Sequence, residues 1–153
     1  MIEQTFVMIK PLGIRHGLLE ILQRLRGLGR EIEGRMVVTT RELIAEHYAQ
    51  HQSKEFFTML VDYYDHATVL AAIYEGDGII TSVRSAIGPS DPRKAPANSI
   101  RKLVLDRFPD GEKGWVKPEQ LTYGIDNFIH ASDSTEAAQR EIQLWLPIIK
   151  ALR

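Results

Sequence analysis

The segment Asn127–Ser134, with the sequence NFIHASDS, surrounds one histidine, His130, with small and polar residues. A histidine is a nucleophile when one ring nitrogen is free and an acceptor holds the other. Glu141 is the candidate acceptor, because it shares a helical face with Ala138 and Trp145, where an unpaired carboxylate is costly. The pattern indicates a nucleophilic histidine, and a surface histidine followed by a helix cap is the alternative interpretation.

A nucleophilic histidine suits phosphoryl transfer, which requires cations around the phosphate groups. Lys10, Arg84 and Arg101 are the candidates, because each lies at or near the end of a predicted element rather than in a run of charge. Solvated surface arginines remain the alternative for Arg84 and Arg101. Spacing along the chain does not show whether the three side chains meet.

Two other patterns are weaker evidence for a functional site. His47 and His51 have the spacing of the zinc-binding H-E-x-x-H pair, but Tyr48 stands where the general-base glutamate belongs. Phe56 and Phe57 are more typical of core residues than of a base-stacking platform. The chain has no phosphate-binding G-x-x-x-x-G-K-S/T motif.

The elements that must carry these residues show clear periodicity. Apolar runs at Thr5–Ile9 and Thr68–Tyr74 predict buried strands, and alternation over Ile32–Val38 predicts a strand with one buried face. Apolar residues at helical spacing predict a helix through Leu18–Leu28 and a final helix that Pro147 ends or kinks.

Thr39 and Glu42 have the spacing of a capping box and predict the start of another helix. The predicted order is strand, helix, strand, helix pair, strand, helix, strand, helix. This order is typical of an α+β fold, a ferredoxin-like split βαβ sandwich whose four-stranded antiparallel sheet is covered by helices, which we expect on one face.

The composition limits the class of protein. A hydrophobic fraction of 44% and a charged fraction of 25% are typical of a globular domain, and 153 residues suit one domain. A net charge of −1 argues against a general nucleic-acid binder, and no segment has the length of a membrane span. Because cysteine and a signal-like N-terminus are both absent, we expect a cytoplasmic protein.

Several motifs together carry a resemblance. The pattern N-x-x-H-G/A-S-D-S stands at Asn127–Ser134, Lys-Pro-x-Gly ends TFVMIKPLG, and Tyr-x-x-His is present at Tyr48 and His51. The stretches FFTMLVDY, EGDGII and IGPSDPRKAPANSIR follow in family order. On these residues the chain resembles the nucleoside diphosphate kinase family, as a single domain over residues 1–153.

The resemblance implies exchange of γ-phosphate between nucleoside triphosphates and diphosphates, such as ATP, GTP and GDP, by a ping-pong route through phosphohistidine at His130. It implies that Glu141 holds the second ring nitrogen and that Ser132 supports this pair. It assigns the phosphates, ribose and base to Lys10, Tyr48, Phe56, Leu60, Arg84, Ser90, Arg101 and Asn127. It also implies Mg²⁺ bridged by the nucleotide phosphates without a direct protein ligand, and a homo-oligomer.

The chain departs from the family pattern at several positions. Leu12 and His16 replace an acidic and a basic residue, Ser90 replaces threonine, and Asp126 replaces a basic residue. Arg101 and Asn127 are also much farther apart than in the family, which indicates an insertion at about residues 103–123. An active kinase is the first hypothesis, and the insertion and Asp126 motivate one alternative, a nucleotide-binding regulatory or scaffold protein of the same fold with weak or lost turnover. A ferredoxin-like RNA binder ranks lower, because basic and aromatic residues do not alternate on the predicted strands.

Overall fold

The computed structural model describes residues 1–107 and 127–151. The strands in these ranges are β1 (Ile2–Ile9), β2 (Arg30–Val38), β3 (Thr68–Asp77) and β4 (Ile129–Ala131). The α-helices are α1 (Pro11–Arg26), α2 (Arg41–His47), α3 (Phe57–Tyr64), α4 (Ile79–Ile87), α5 (Lys102–Arg107) and α6 (Thr135–Ala151). Short 3₁₀ helices span Ala49–His51 and Pro92–Lys94. The predicted insertion at 103–123 begins within α5, and from residue 108 onward it lies outside the described residues.

The four strands form one antiparallel sheet in the order β2-β3-β1-β4. The central strand β1 pairs with β3 over its whole length and with the short edge strand β4 at its C-terminal end. In that second pairing Met8 lies opposite His130. This topology confirms the predicted α+β fold of split βαβ type.

Helices cover both faces of the sheet, so the expectation of one covered face is wrong. Phe6 and Met8 of β1 pack with residues of α2, α3 and α6, whereas Val7 and Ile9 pack with residues of α1 and α4. All four side chains are fully buried. Successive side chains of a strand point to opposite faces, so a strand buried at every position needs a layer on each side.

The ends of three helices differ from the predicted ones. Helix α1 begins at Pro11, where proline is tolerated in the first turn, but non-helical φ and ψ angles at Gly17 kink it directly before the predicted stretch that starts at Leu18. Thr40 rather than Thr39 caps α2 by accepting a hydrogen bond from the N–H of Leu43. Helix α6 continues through Pro147 to Ala151. The burial of Trp145 and Ile149 in the core offsets the cost of the proline, about 3 kcal/mol.

Gly13 allows α1 to approach the start of β4 closely. A Cβ atom at this position would lie 2.5 Å from the carbonyl oxygen of Phe128 and 2.8 Å from Cγ2 of Ile9. Both distances are too short for a side chain. Gly13 thus keeps the β1–α1 connection, which carries Lys10, directly against the strand that carries His130.

Candidate active site

Main-chain contacts place His130 on the wall of a cavity of about 470 Å³. The N–H of Lys10 donates to the carbonyl oxygen of Phe128 at 2.9 Å, which ties β1 to the residues that precede His130. Phe128 has a φ of 78°, in the left-handed region that few residues other than glycine adopt. The chain therefore enters β4 through a strained turn that the neighbouring strand holds in place.

Glu141 in α6 contacts the His130 ring at Nε2. Its Oε1 lies 3.1 Å from Nε2 of His130, and its Oε2 accepts a hydrogen bond of 2.6 Å from the hydroxyl of Ser132. The N–H of Phe6 donates to the same hydroxyl oxygen at 3.2 Å. The histidine, the carboxylate and the serine thus form a chain of hydrogen bonds anchored in the core of the sheet.

The contact with Glu141 selects the tautomer of His130. An ionised carboxylate only accepts hydrogen bonds, so Nε2 of the neutral ring must carry the proton. Nδ1 is then the unprotonated nitrogen with a lone pair. This arrangement can support nucleophilic attack by Nδ1, because Glu141 stabilises the positive charge that the ring acquires.

Burial and charge keep His130 neutral. The pKa of His130 is lowered well below 6.5, mainly by burial of the ring. The positive charges of Lys10, Arg101 and Arg84 lower it further. Burial raises the pKa of Glu141, whereas His47, the Ser132 hydroxyl and Arg140 act in the opposite direction. A ring that is neutral in a positive field is ready to react with an anion.

Three cations lie around His130 and are held by neutral groups. Lys10 Nζ donates to Oδ1 of Asn127 at 2.8 Å, and Arg84 Nη1 donates to the carbonyl oxygen of Ala131 at 3.3 Å. Arg101 donates to the carbonyl oxygens of Ile129 and Gly88. Carbonyl and amide oxygens orient these cations, and three positive charges close together favour the binding of an anion in the cavity.

Arg101 is buried, with 3% of its surface exposed, close to Arg84. The pKa of Arg101 is lowered to about 10, mainly by burial and to a smaller extent by the neighbouring guanidinium of Arg84. Bringing two guanidinium groups together in a partly dry site costs free energy. A phosphate chain between them would relieve this repulsion.

The cavity lining also includes apolar and uncharged polar residues. Half-buried Phe56 and buried Leu60 form an apolar wall, and the ring of His51 lies 5.8 Å from that of Phe56. The lining also contains Ser90, whose carbonyl oxygen accepts a 2.6 Å hydrogen bond from the side-chain amide of Asn127. The site therefore combines cationic, polar and apolar lining residues.

The structure brings together nearly all of the residues that the sequence pointed to. Those lining the cavity are Lys10, Tyr48, Phe56, Leu60, Arg84, Ser90, Arg101, Asn127, His130 and Glu141. Ser132 lies behind them and reaches the site through Glu141. The zinc pattern is not built as such, because α2 ends at His47 and His51 belongs to the following 3₁₀ helix.

Comparison with known proteins supplies the family. The family model described as nucleoside diphosphate kinase matches residues 3–150. The chain belongs to the nucleoside diphosphate kinase family. It is accordingly a phosphotransferase enzyme with nucleotide substrates.

Individual family members agree with this assignment. The chain is 36% identical to the nucleoside diphosphate kinase of Acaryochloris marina, with 94% of this chain and 87% of that protein covered. It is 37% identical to nucleoside diphosphate kinase 1 of Nicotiana tabacum, with 95% and 88% covered. The solved nucleoside diphosphate kinase structure from Aquifex aeolicus has a TM-score of 0.76 and 33% identity, with 94% of each chain covered.

This nucleoside diphosphate kinase also has cavity residues that sequence reasoning missed. Asp91 and Arg93 stand beside Ser90 at the cavity, and the Arg93 guanidinium donates to both carboxylate oxygens of Asp91. The signal was the short spacing of an aspartate and an arginine across Pro92. Such spacing is common in turns and does not by itself indicate a binding site. The remaining unpredicted lining residues are His47, Gln50, His51, Ala131 and Asp133.

His47, His130 and Glu141 form a cluster whose ligand-type atoms lie within 4.8 Å of one another. His47 and Glu141 have hydrogen-bond partners within the protein. His47 Nδ1 accepts a hydrogen bond from Trp145, and Glu141 accepts one from Ser132. The cations around His130 also oppose a divalent metal, so the cluster fits an imidazole nucleophile better than a metal centre.

None of the helices in the two described ranges of this kinase combines the length and apolar character of a membrane span.

Proposed function

We propose that this nucleoside diphosphate kinase moves the γ-phosphoryl group in two steps, through phosphohistidine at His130. The observation that carries the proposal is the 3.1 Å contact between His130 Nε2 and Glu141 Oε1, beside a cavity lined by cations. It supports Nδ1 as the attacking atom, because the other ring nitrogen is engaged.

In the first step the lone pair of Nδ1 attacks the γ-phosphorus of a nucleoside triphosphate. A nitrogen–phosphorus bond forms while the bond from phosphorus to the bridging oxygen breaks, and the diphosphate leaves with that electron pair. The ring becomes positively charged and Glu141 balances the charge. In the second step a terminal oxygen of another diphosphate attacks the phosphorus, and the electron pair returns to Nδ1.

The remaining residues bind and orient the nucleotide. Lys10, Arg84 and Arg101 balance the charge of the phosphate chain and orient it, so their contribution to catalysis is positioning and electrostatic stabilisation. The hydroxyl and amide groups of Tyr48, Ser90 and Asn127 contact phosphates and ribose. Phe56 and Leu60 hold the base by stacking and apolar contact, which discriminates little between bases.

Mg²⁺ enters in this proposal as part of the nucleotide substrate and bridges its phosphates. Two of the three carboxylates that line the cavity have partners within the protein, and the third, Asp133, is exposed. Asp91 is paired with Arg93, and Glu141 is held by Ser132 and His130. Phosphate oxygens and water are the hard oxygen ligands that Mg²⁺ prefers, so a direct protein ligand is not required.

The test is transfer of label from a nucleoside triphosphate that carries radioactive γ-phosphate, in the presence of Mg²⁺. We expect label on the wild-type protein that survives alkali, is lost in acid and moves to added diphosphate. His130→Gln should take up no label, whereas His66→Asn, a variant of an exposed histidine outside the cavity lining, should be labelled. Absence of label on wild type contradicts the proposed mechanism, and equal labelling of His130→Gln contradicts the site.

The same experiment tests the alternative of a regulatory or scaffold protein. That alternative predicts nucleotide binding with little or no discharge of label into added diphosphate. Retention of Lys10, Arg84 and Arg101 around His130 favours the active enzyme, since binding alone does not require a hydrogen-bonded histidine at the charged end of the cavity.

Three coarser features complete the proposal. We propose that residues 1–153 form one catalytic domain with an insertion at about 103–123. We also propose that copies of the chain assemble into a homo-oligomer. The enzyme should act in the cytoplasm, where a chain without cysteine loses no disulfide bond. Light scattering of a variant with a shortened insertion tests the link between the insertion and assembly. An unchanged mass counts against it.

A further inference from the structure

Arg140 lies beside Glu141 on α6 but outside the lining of the main cavity. Its Nη2 atom is 3.7 Å from Oε1 of Glu141. The guanidinium also donates to the carbonyl oxygen of His47 at 3.2 Å through Nη1 and to Oε1 of Gln50 at 2.9 Å through Nη2. One side chain thus contacts the carboxylate behind His130 and two residues at the end of α2 and in the following 3₁₀ helix.

Glu141 needs a positive charge nearby. Its side chain is only 2% exposed, and its two hydrogen-bonding partners, the Ser132 hydroxyl and the neutral His130 ring, carry no formal charge. A buried carboxylate without a cation tends to take up a proton. Arg140 supplies that positive charge at close range. Its other two hydrogen bonds hold the partly exposed guanidinium in place.

The protonation state of Glu141 decides which nitrogen of His130 can react. An ionised Glu141 accepts the proton of Nε2 and leaves Nδ1 with its lone pair. A protonated Glu141 would instead donate to Nε2, and the neutral ring would then carry its proton on Nδ1, which blocks attack. The proton balance of the pair therefore controls the nucleophile.

We propose that Arg140 is a positioning residue for phosphoryl transfer, which supplies the positive charge that keeps Glu141 an acceptor for His130 and braces α6 against the turn that carries Tyr48. The inference rests on the proposed function, because it presumes that Nδ1 of His130 attacks the phosphate. It assigns no contact between Arg140 and the nucleotide.

The groups that face the pair from other elements act together with Arg140. His47 faces it from α2 and Asp133 from the turn after β4, while Lys10, Arg84 and Arg101 face His130 from the cavity walls. Arg140 is also one of the charges that lower the pKa of His47, so its replacement acts on His47 as well as on the pair. Arg140→Lys keeps the positive charge and therefore separates the loss of charge from the loss of the guanidinium hydrogen bonds.

The experiment compares Arg140→Met, Arg140→Lys and wild type by the pH dependence of kcat/KM. With Arg140→Met we expect the acid limb to move upward by roughly half to one pH unit, as expected for loss of a partly screened charge about 4 Å away. Arg140→Lys should return the limb close to its wild-type position. Lys150→Met, which removes an exposed charge from the same helix, should follow wild type throughout.

Two further measurements separate this role from a merely structural one. In Arg140→Met kcat should fall by a larger factor than the KM for diphosphate rises, because Arg140 acts on the His130–Glu141 pair and is not itself part of the cavity wall. In nitrogen-labelled histidine spectra, the pH at which His130 loses its Nε2–H tautomer should rise by the same amount as the acid limb.

An acid limb that stays in place in Arg140→Met overturns the proposal, even if activity falls, and so does an equal shift in Arg140→Lys. The wild-type labelling experiment comes first. If wild type is not labelled at His130, the proposed function fails. If wild type is labelled and the limb of Arg140→Met does not move, only the role of Arg140 fails.

Discussion

The indole N–H of Trp145 donates a 3.0 Å hydrogen bond to Nδ1 of His47, although the two residues are 98 positions apart. Both side chains are buried, and the His47 ring lies 4.6 Å from that of His130. Trp145 can only donate, so the neutral His47 ring must carry its proton on Nε2. Nε2 is itself buried and makes no hydrogen bond to a described residue.

Replacement of Trp145 by phenylalanine should lower the free energy of unfolding by about 1–3 kcal/mol, because it leaves Nδ1 of a buried histidine without a donor. The double variant His47→Phe/Trp145→Phe should lose less than the sum of the two single variants, since no polar atom is then left unpaired. Urea denaturation of the four proteins gives the coupling energy. A coupling near zero would mean that the hydrogen bond contributes nothing to stability.

Ser132→Ala should reduce kcat by roughly tenfold to a hundredfold, because Glu141 loses a charge-assisted hydrogen bond of 2.6 Å. The matched control is Ser134→Ala. The Ser134 hydroxyl accepts a hydrogen bond from the N–H of Ala137 at the start of α6. Its loss should cost about 1 kcal/mol of stability. The activity of folded Ser134→Ala should equal that of wild type, and equal losses of activity in both variants would refute this prediction.

Gly13→Ala should destabilise the fold by several kcal/mol, because the new methyl group would overlap the carbonyl oxygen of Phe128 and the side chain of Ile9. Gly27→Ala is the control, since its Cβ would meet only ordinary contacts at 3.4 Å and its φ of −72° suits alanine. We expect Gly27→Ala to be neutral or to stabilise by about 0.5 kcal/mol. Thermal denaturation of both variants makes the comparison, and similar effects would argue against the close approach.

The stability of the enzyme should fall as the pH drops below about 6.5. Burial, followed by the influence of His130, lowers the pKa of His47 well below 6.5. As the pH falls, His47 takes up a proton in the unfolded chain but stays neutral in the folded chain. The free energy of unfolding therefore decreases. His47 alone should contribute about 1 kcal/mol between pH 7 and pH 5.5.

The measurement for this prediction is the difference in unfolding free energy between wild type and His47→Gln over that pH range. Taking the difference removes most of the contribution of Glu141, which has the opposite sign because its pKa is raised by burial. A difference that is independent of pH would show that His47 titrates alike in the folded and unfolded chains.

Local patterns were sufficient to predict much of the fold. Alternation and short apolar runs indicated β1, β2 and β3, and helical spacing indicated α1 and α6, because side-chain periodicity follows backbone geometry. The helix ends were less accurate. Helix α6 continues past Pro147 because the buried faces of Trp145 and Ile149 outweigh a local preference.

The sequence by itself determined the family and the types of the site residues, since the motif around His130 and the order of the other motifs can be read without coordinates. Only the tertiary structure decided which side chains meet. The contact between His130 and Glu141, the bond from Trp145 to His47 and the position of Arg140 depend on how α6 lies across the sheet. The helices on both faces of β1 were also decided there, because burial is a property of the packed layers and not of any one segment.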